Sequence, residues 1–427
     1  TFINIVNKQE MTAKVITRTP EPPKPKHPEK HALDRTGKKV LDGKEVQLGD
    51  FVQYLLDGAT VPERHHMLYQ YDGLDKLDTK HDRYTGNWKG IIKGTEYTAE
   101  HIVLATGARS RELPNLPQDG KKVIGYRQAL TLPKQPKSMI VVGSGAIGVE
   151  FAYFYATMGT EVTVVEFMPN IVPVEDEDVS KHLEKSFKKA KIKVMTNASV
   201  ESVDTSGDGV KAQVKTEKGV VELQADILLS AVGITANIEN IGLEEVGIKT
   251  EKGRVVVDEW YRTSVPGYYA IGDILPTQAL AHVASAEGIT CVEKIKGLDV
   301  ERIDYGNIPG CTYCTPEIAS VGLTEKQAKE KGYEIKVGKF PFSASGKATA
   351  NGDTDGFVKV IFDAKYGEWL GCHMIGTGVT EMIAEAVAAR KLETTGHEIL
   401  KTVHPHPTLS ESVMEAVAAA YGEVIHI

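Results

Sequence analysis

Cysteine is nearly missing from this chain. Its 427 residues hold four, at positions 291, 311, 314 and 372, and none earlier. That excludes a disulfide scaffold and makes a reducing, cytoplasmic compartment the expectation. Long apolar runs are missing too: no stretch of about 18 such residues occurs, so no membrane span is expected. An excess of cations is also missing. Acidic residues outnumber basic ones 58 to 50, for a formal charge of −8, which argues against a protein built to bind nucleic-acid phosphates. The opening Thr1-Phe2-Ile3-Asn4-Ile5 lacks the charged start and apolar stretch of a secretory signal. A first residue other than Met allows for an upstream piece that has been removed. No unit of roughly 20–50 residues repeats.

What is present is enough for a globular protein. Apolar residues make up 41% and charged residues 25%, so a core can form, and the length suits roughly two to four domains. Pro20, Pro22, Pro23, Pro25 and Pro28 stand among lysines, and 18–31 reads as an extended connector. Residues 32–90 show turn signals and short apolar runs without a long periodic element. From about residue 95 the texture changes. Tyr97–Thr106 ends in a short apolar strand, followed by Gly107. Residues 138–145 give a buried strand running into glycines, then a helical stripe through Phe151, Tyr155 and Met158. A second strand, Glu161–Val165, ends at Glu166. That is the parallel crossover of a doubly wound α/β sheet. Shorter strands follow at 193–197, 209–216, 226–232 and 357–363, and two alanine-rich helices at 378–391 and 409–421.

Within the crossover, Gly143-Ser144-Gly145-Ala146-Ile147-Gly148 has the dinucleotide spacing. Gly143 allows the tight turn, Gly145 lets backbone approach a pyrophosphate, and Gly148 lets helix pack on strand. The helix N-terminus then offers N–H groups and a positive dipole end to phosphates. Glu166 is placed to accept hydrogen bonds from the adenosine ribose. Its carboxylate repels a 2′-phosphate, and Phe167 and Met168 supply no cation, so NAD is expected rather than NADP.

With that unit in place, residues 95–427 resemble dihydrolipoamide dehydrogenase, of the pyridine nucleotide–disulfide oxidoreductase family. Ala105-Thr106-Gly107-Ala108-Arg109 looks like the turn where such chains leave the flavin domain. Thr263–Asp273 (TSVPGYYAIGD) resembles the second flavin motif, whose aspartate, here Asp273, binds the ribityl chain of FAD. Leu280-Ala281-His282-Val283-Ala284 looks like the helix start facing the flavin. His404-Pro405-His406-Pro407-Thr408-Leu409-Ser410-Glu411 is similar to the catalytic-base segment, which implies His406 as base and Glu411 as its orienting carboxylate. The pairing is chemically apt, since an imidazole titrates near neutrality and a carboxylate fixes its tautomer. The resemblance also implies Glu150 near the nicotinamide, and Thr106, Gly107, Gly233, Ala281 and His282 as cofactor contacts. It implies FAD and NAD as cofactors, dihydrolipoamide or a lipoyl-bearing protein as substrate, and a homodimer in which the base serves the partner's flavin site.

The family's opening Gly-x-Gly and its Cys-x-x-x-x-Cys pair have no counterpart here: the first 100 residues contain isolated glycines and no cysteine. Cys311 and Cys314 fall in Cys311–Gly322, read as one strand, where residues three apart face opposite ways and make a disulfide awkward. No second Cys-x-x-Cys exists for a metal, and Cys291 and Cys372 read as buried apolar residues. The expected layout is an atypical region 1–94 with its proline arm, a flavin-type segment 95–120, an NAD domain 121–235, a central flavin-type segment 236–304 and an α+β interface domain 305–427. Two competing readings stand beside the oxidoreductase. One is a non-catalytic NAD-binding or assembly protein that has lost the redox disulfide; the other is an NADPH-dependent disulfide reductase, which Glu166 opposes.

Overall fold

Strands buried on both faces need near-continuous β-branched runs, and β1 (Ser138–Val142) and β2 (Glu161–Val165) are such runs. In the computed structural model they pair in parallel, Met139 beside Val162 and Val142 beside Val165. The structure describes residues 99–426, and before them the backbone of short strands between Val40 and Ala99. The proline-rich stretch 18–31 lies outside the described residues. Contacts divide the chain into two compact units, Thr1–Arg109 with Thr235–Ile303 and Ser110–Ile234 with Asp304–Ile427.

In the second unit, β1 and β2 belong to a five-stranded parallel sheet completed by Lys193–Met195, Ile227–Ser230 and Val123–Ile124. Helix α1 (Ala146–Thr157) connects β1 to β2 and buries Gly148, Val149, Ala152 and Tyr155. The expected stripe holds at Tyr155 but not at Met158, which is the helix's C-cap and 56% exposed. Helix α2 (Glu177–Lys189) starts at Asp176, whose carboxylate accepts the Asp178 N–H, so a side chain satisfies one of the donors a helix start leaves open.

The first unit keeps a three-stranded parallel sheet of Tyr268–Ala270, Ile102–Leu104 and Met67–Tyr69. Helix α3 (Ala281–Ile295) follows it in the chain. Its core gathers Ile102, Leu104, Tyr268, Ile274 and Cys291.

Residues 304–427 of the second unit form a five-stranded antiparallel sheet whose centre is β3 (Phe357–Asp363) and β4 (Trp369–Ile375), both wholly buried. Helices α4 (Val379–Lys391) and α5 (Glu411–Tyr421) cover it, sharing a core of Val358, Phe362, Met374, Ile383 and Val417. The single strand expected over Cys311–Gly322 is a hairpin instead, Gly310–Thr312 against Ile318–Gly322. Pro316 lacks the N–H a strand interior needs, so the ladder breaks there. Cys314 therefore sits in the turn, and strand alternation does not govern the pair. The outcome for the thiols is unchanged: all four cysteines are free, and burial pushes Cys291 and Cys314 up to about 12.

Candidate active site

The glycine turn is shaped by close backbone contacts. Gly143 has φ of +96°, and a Cβ there would stand 2.5 Å from the Ala231 carbonyl oxygen; at Gly148 it would stand 2.0 Å from that of Gly143. These two positions fix the fold of the turn. Gly145 differs: φ is −65°, and a Cβ would meet nothing within 4 Å. Open space beside the N-terminus of a twelve-residue helix suits a pyrophosphate.

Glu166 lies at the end of β2, and only 6% of it is exposed. Its Oε2 accepts the Ser144 N–H at 2.8 Å and the Ser144 hydroxyl at 2.6 Å, while Oε1 accepts the Met168 N–H at 2.7 Å. A carboxylate has about four acceptor positions, so one remains for a ribose hydroxyl, on Oε1. Glu150, on α1, accepts the Tyr313 N–H at 2.8 Å; burial raises its pKa and that hydrogen bond opposes the rise. Gly233 follows the strand Ile227–Ser230, with φ of +110° and its carbonyl accepting the Arg111 N–H at 3.0 Å.

In the first unit, Asp273 stands in the short turn Gly272–Ile274. Its backbone carbonyl accepts from Arg254, yet its half-buried carboxylate receives no hydrogen bond among the described residues. Burial raises its pKa, with Arg254 pulling the other way. A carboxylate without donors fits a ribityl chain, which brings hydroxyls. Helix α3 does begin at Ala281, with Ala281 and His282 exposed and no side chain capping its first turn. Thr106 is buried, and its hydroxyl donates to the Asn237 carbonyl at 2.6 Å. Gly107, at φ +68°, turns the chain beside it and accepts the Asn237 N–H at 2.8 Å.

His406 is well exposed in the second unit. Its Nδ1 meets Glu411 Oε1 at 2.9 Å, and Glu411 Oε2 accepts the Thr408 N–H at 2.8 Å. That backbone bond, then the histidine, holds the Glu411 carboxyl below its usual range. A carboxylate acceptor requires the proton on Nδ1, which leaves Nε2 as the basic atom. Ser410, the residue before α5, makes no side-chain cap; Glu411 fixes the loop instead. His404, two residues away, is clasped by Glu385 Oε1 at 2.8 Å and the Thr402 carbonyl at 3.1 Å. Both ring nitrogens face acceptors, an arrangement that favours the doubly protonated ring, and the Glu385 hydrogen bond raises its pKa.

The sequence reading missed two positioning residues. Ser144 lies inside the glycine pattern, where a hydroxyl between two glycines was the signal. Glu287 is a lone carboxylate on the buried face of α3, fully buried, accepting the Gly272 N–H at 2.6 Å and the Thr277 hydroxyl at 2.8 Å. It fixes the turn that carries Asp273. No metal-binding cluster of His, Cys, Asp and Glu occurs among the described residues.

A dinucleotide crossover, a flavin-type aspartate turn and a histidine–carboxylate pair define a two-nucleotide α/β oxidoreductase. The chain belongs to the pyridine nucleotide-disulphide oxidoreductase family: residues 4–288 match that family and residues 308–417 its dimerisation domain. The match begins well before residue 95, where the motif resemblance starts. A dihydrolipoyl dehydrogenase of Rhizobium etli is 52% identical over 80% of this chain and 70% of its own length. One from Zymomonas mobilis is 48% identical over 80% of this chain and 75% of its own. In three dimensions the chain is similar to LpdA from Mycobacterium tuberculosis, with a TM-score of 0.74 and 29% identity over 80% of this chain and 75% of that one. The expected fold class, family and FAD and NAD as cofactors are borne out. Among the described residues no helix is long and apolar enough to cross a membrane.

Proposed function

We propose that this chain is an oxidoreductase of the dihydrolipoyl dehydrogenase type, a scheme in which electrons pass between a dithiol substrate and NAD through FAD, and that its 427 residues carry the nicotinamide half of that scheme. The observation that carries this reading is the His406–Glu411 pair at 2.9 Å with Nε2 turned away from its carboxylate. A protein that only binds dinucleotide has no use for an ionised, backbone-fixed carboxylate orienting an exposed base. Bound FAD would supply the ring that relays an electron pair. His406 Nε2 takes the thiol proton, and Glu411 stabilises the imidazolium that results. Gly145 admits the pyrophosphate, Glu166 receives the ribose, and Asp273 holds the ribityl chain. We place the protein in the cytoplasm, where its cysteines stay reduced, as a homodimer paired through 305–427 with a lipoyl group as substrate.

These 427 residues hold no Cys-x-x-x-x-Cys pair. On this reading they carry the nicotinamide half of the reaction: the purified chain is yellow and passes electrons from NADH to an artificial acceptor, while dihydrolipoamide turnover fails. A colourless preparation without affinity for NADH would overturn the reading, and comparable rates with both electron partners would overturn the division between the two halves.

A further inference from the structure

We propose that Ser144 is a positioning residue that sets nucleotide choice by locking the Glu166 carboxylate against a 2′-phosphate. The inference rests on the reading of β1–α1–β2 as the dinucleotide site and goes beyond it, because Glu166 alone would supply charge without direction. Ser144 is fully buried and gives Glu166 Oε2 two donors, the N–H at 2.8 Å and the hydroxyl at 2.6 Å. Met168 N–H holds Oε1 at 2.7 Å. Both residues are fixed through their backbones as well. The Ser144 carbonyl accepts the Val172 N–H at 3.0 Å, and Glu166 exchanges backbone bonds with Met195 at 2.8 Å and Ala198 at 2.9 Å.

An acidic side chain on a loose tether can swing out when a phosphate arrives. Here, swinging out would strand the Ser144 hydroxyl and N–H in a buried place and the Met168 N–H in a part-buried one, where unpaired donors are costly. The carboxylate therefore stays, one acceptor position on Oε1 is left over, and a 2′-phosphate meets a negative charge that cannot withdraw. A ribose 2′-hydroxyl instead supplies the one donor still wanted. Ser144 touches Glu166 rather than the nucleotide, so its effect falls on discrimination.

The test is a fluorescence titration of the full chain with NADH and with NADPH, for the unaltered protein, S144A, E166Q and the double variant. The Kd ratio of NADPH to NADH should narrow about tenfold in S144A. E166Q should narrow it further, and S144A should add nothing on that background. Where S144A loses its circular-dichroism signature, S144C gives the same comparison with a near-isosteric side chain and a weak donor. Equal loss of both nucleotides, an unchanged ratio, or additivity of S144A with E166Q would each overturn the proposal. Failure of the unaltered chain to bind NADH would instead overturn the dinucleotide reading beneath it.

Discussion

Adding one methyl group at each glycine of the nucleotide turn separates fold from function. G148A forces a Cβ within 2.0 Å of the Gly143 carbonyl oxygen, so the helix must move off the strand and the domain should lose several kcal/mol (about 3, as for an overpacked core). G145A meets no protein atom and needs no unusual φ. Its unfolding free energy should stay within about 1 kcal/mol of the unaltered protein, while NADH affinity falls about tenfold or more. Urea melts and nucleotide titrations on both variants check this. A G145A that binds normally would remove the pyrophosphate from that space. Glu175 gives a second prediction at this scale. Burial pushes its carboxyl up to about 7, with a hydrogen bond from Ser320 opposing and Asp176 adding to the rise, and Oε2 has no partner among the described residues. A pKa raised on folding stabilises fully below the unfolded value and is lost as pH rises through the folded one. Between pH 4.5 and about 7 the second unit should therefore lose up to about 3 kcal/mol. E175Q, a neutral mimic, should flatten that slope in urea melts repeated across the pH range. An unaltered slope would show that Glu175 does not titrate there.

At the scale of elements, the second unit is stitched by one buried cation that no local pattern announces. Lys359 in β3 reaches Asp176 at 2.8 Å, Asp178 at 3.1 Å and Glu325 at 2.7 Å, with only 3% of its side chain exposed. The Asp176 carboxylate also accepts the N–H groups of Asp178 and Glu325, so it caps α2 and the helix Glu325–Glu330 together. Burial would raise Asp176, yet the Lys359 hydrogen bond leads the terms that hold it low, and the Lys359 pKa is raised in turn. Deleting one partner strands the others: K359M should cost about 3–5 kcal/mol, and adding D176N should recover part of it. A melt in which K359M costs less than about 1 kcal/mol would mean the cluster behaves as a solvated ion pair. The sequence could not disclose this, because Asp176 and Lys359 are 183 residues apart. The Gly310–Gly322 hairpin escaped for a different reason. Its apolar run reads straight through Pro316, although the proline's missing donor breaks the ladder there. The β1–α1–β2 crossover was legible because its strands, helix and glycine spacing all lie within about 30 residues.

At the scale of the whole molecule, legibility follows the same rule of range. Short motifs keep their geometry locally, so the glycine turn, the Asp273 turn, the start of α3 and the His406–Glu411 pair could all be read from spacing and resemblance. Which residues lock those motifs could not be read: Ser144 needs the partner strand, Glu287 the neighbouring turn, and Glu385 a separate helix. Pairing of two chains is the property furthest from sequence. It is also the one that the proposed role of His406 requires, because on that reading a base 78% exposed beside its own carboxylate is enclosed with substrate only when another surface covers it. The matched dimerisation domain spans 308–417 and includes His406 and Glu411. The 46.5 kDa chain should therefore sediment as a pair at micromolar concentration, and its Tm should rise with protein concentration, because association stabilises whatever folds in the pair. H406Q should leave both properties unchanged, since it keeps the loop's size and an amide N–H to donate to Glu411 in place of Nδ1–H. A chain that sediments singly at every concentration, with a fixed Tm, would leave the base facing solvent and withdraw the proton-transfer role from it.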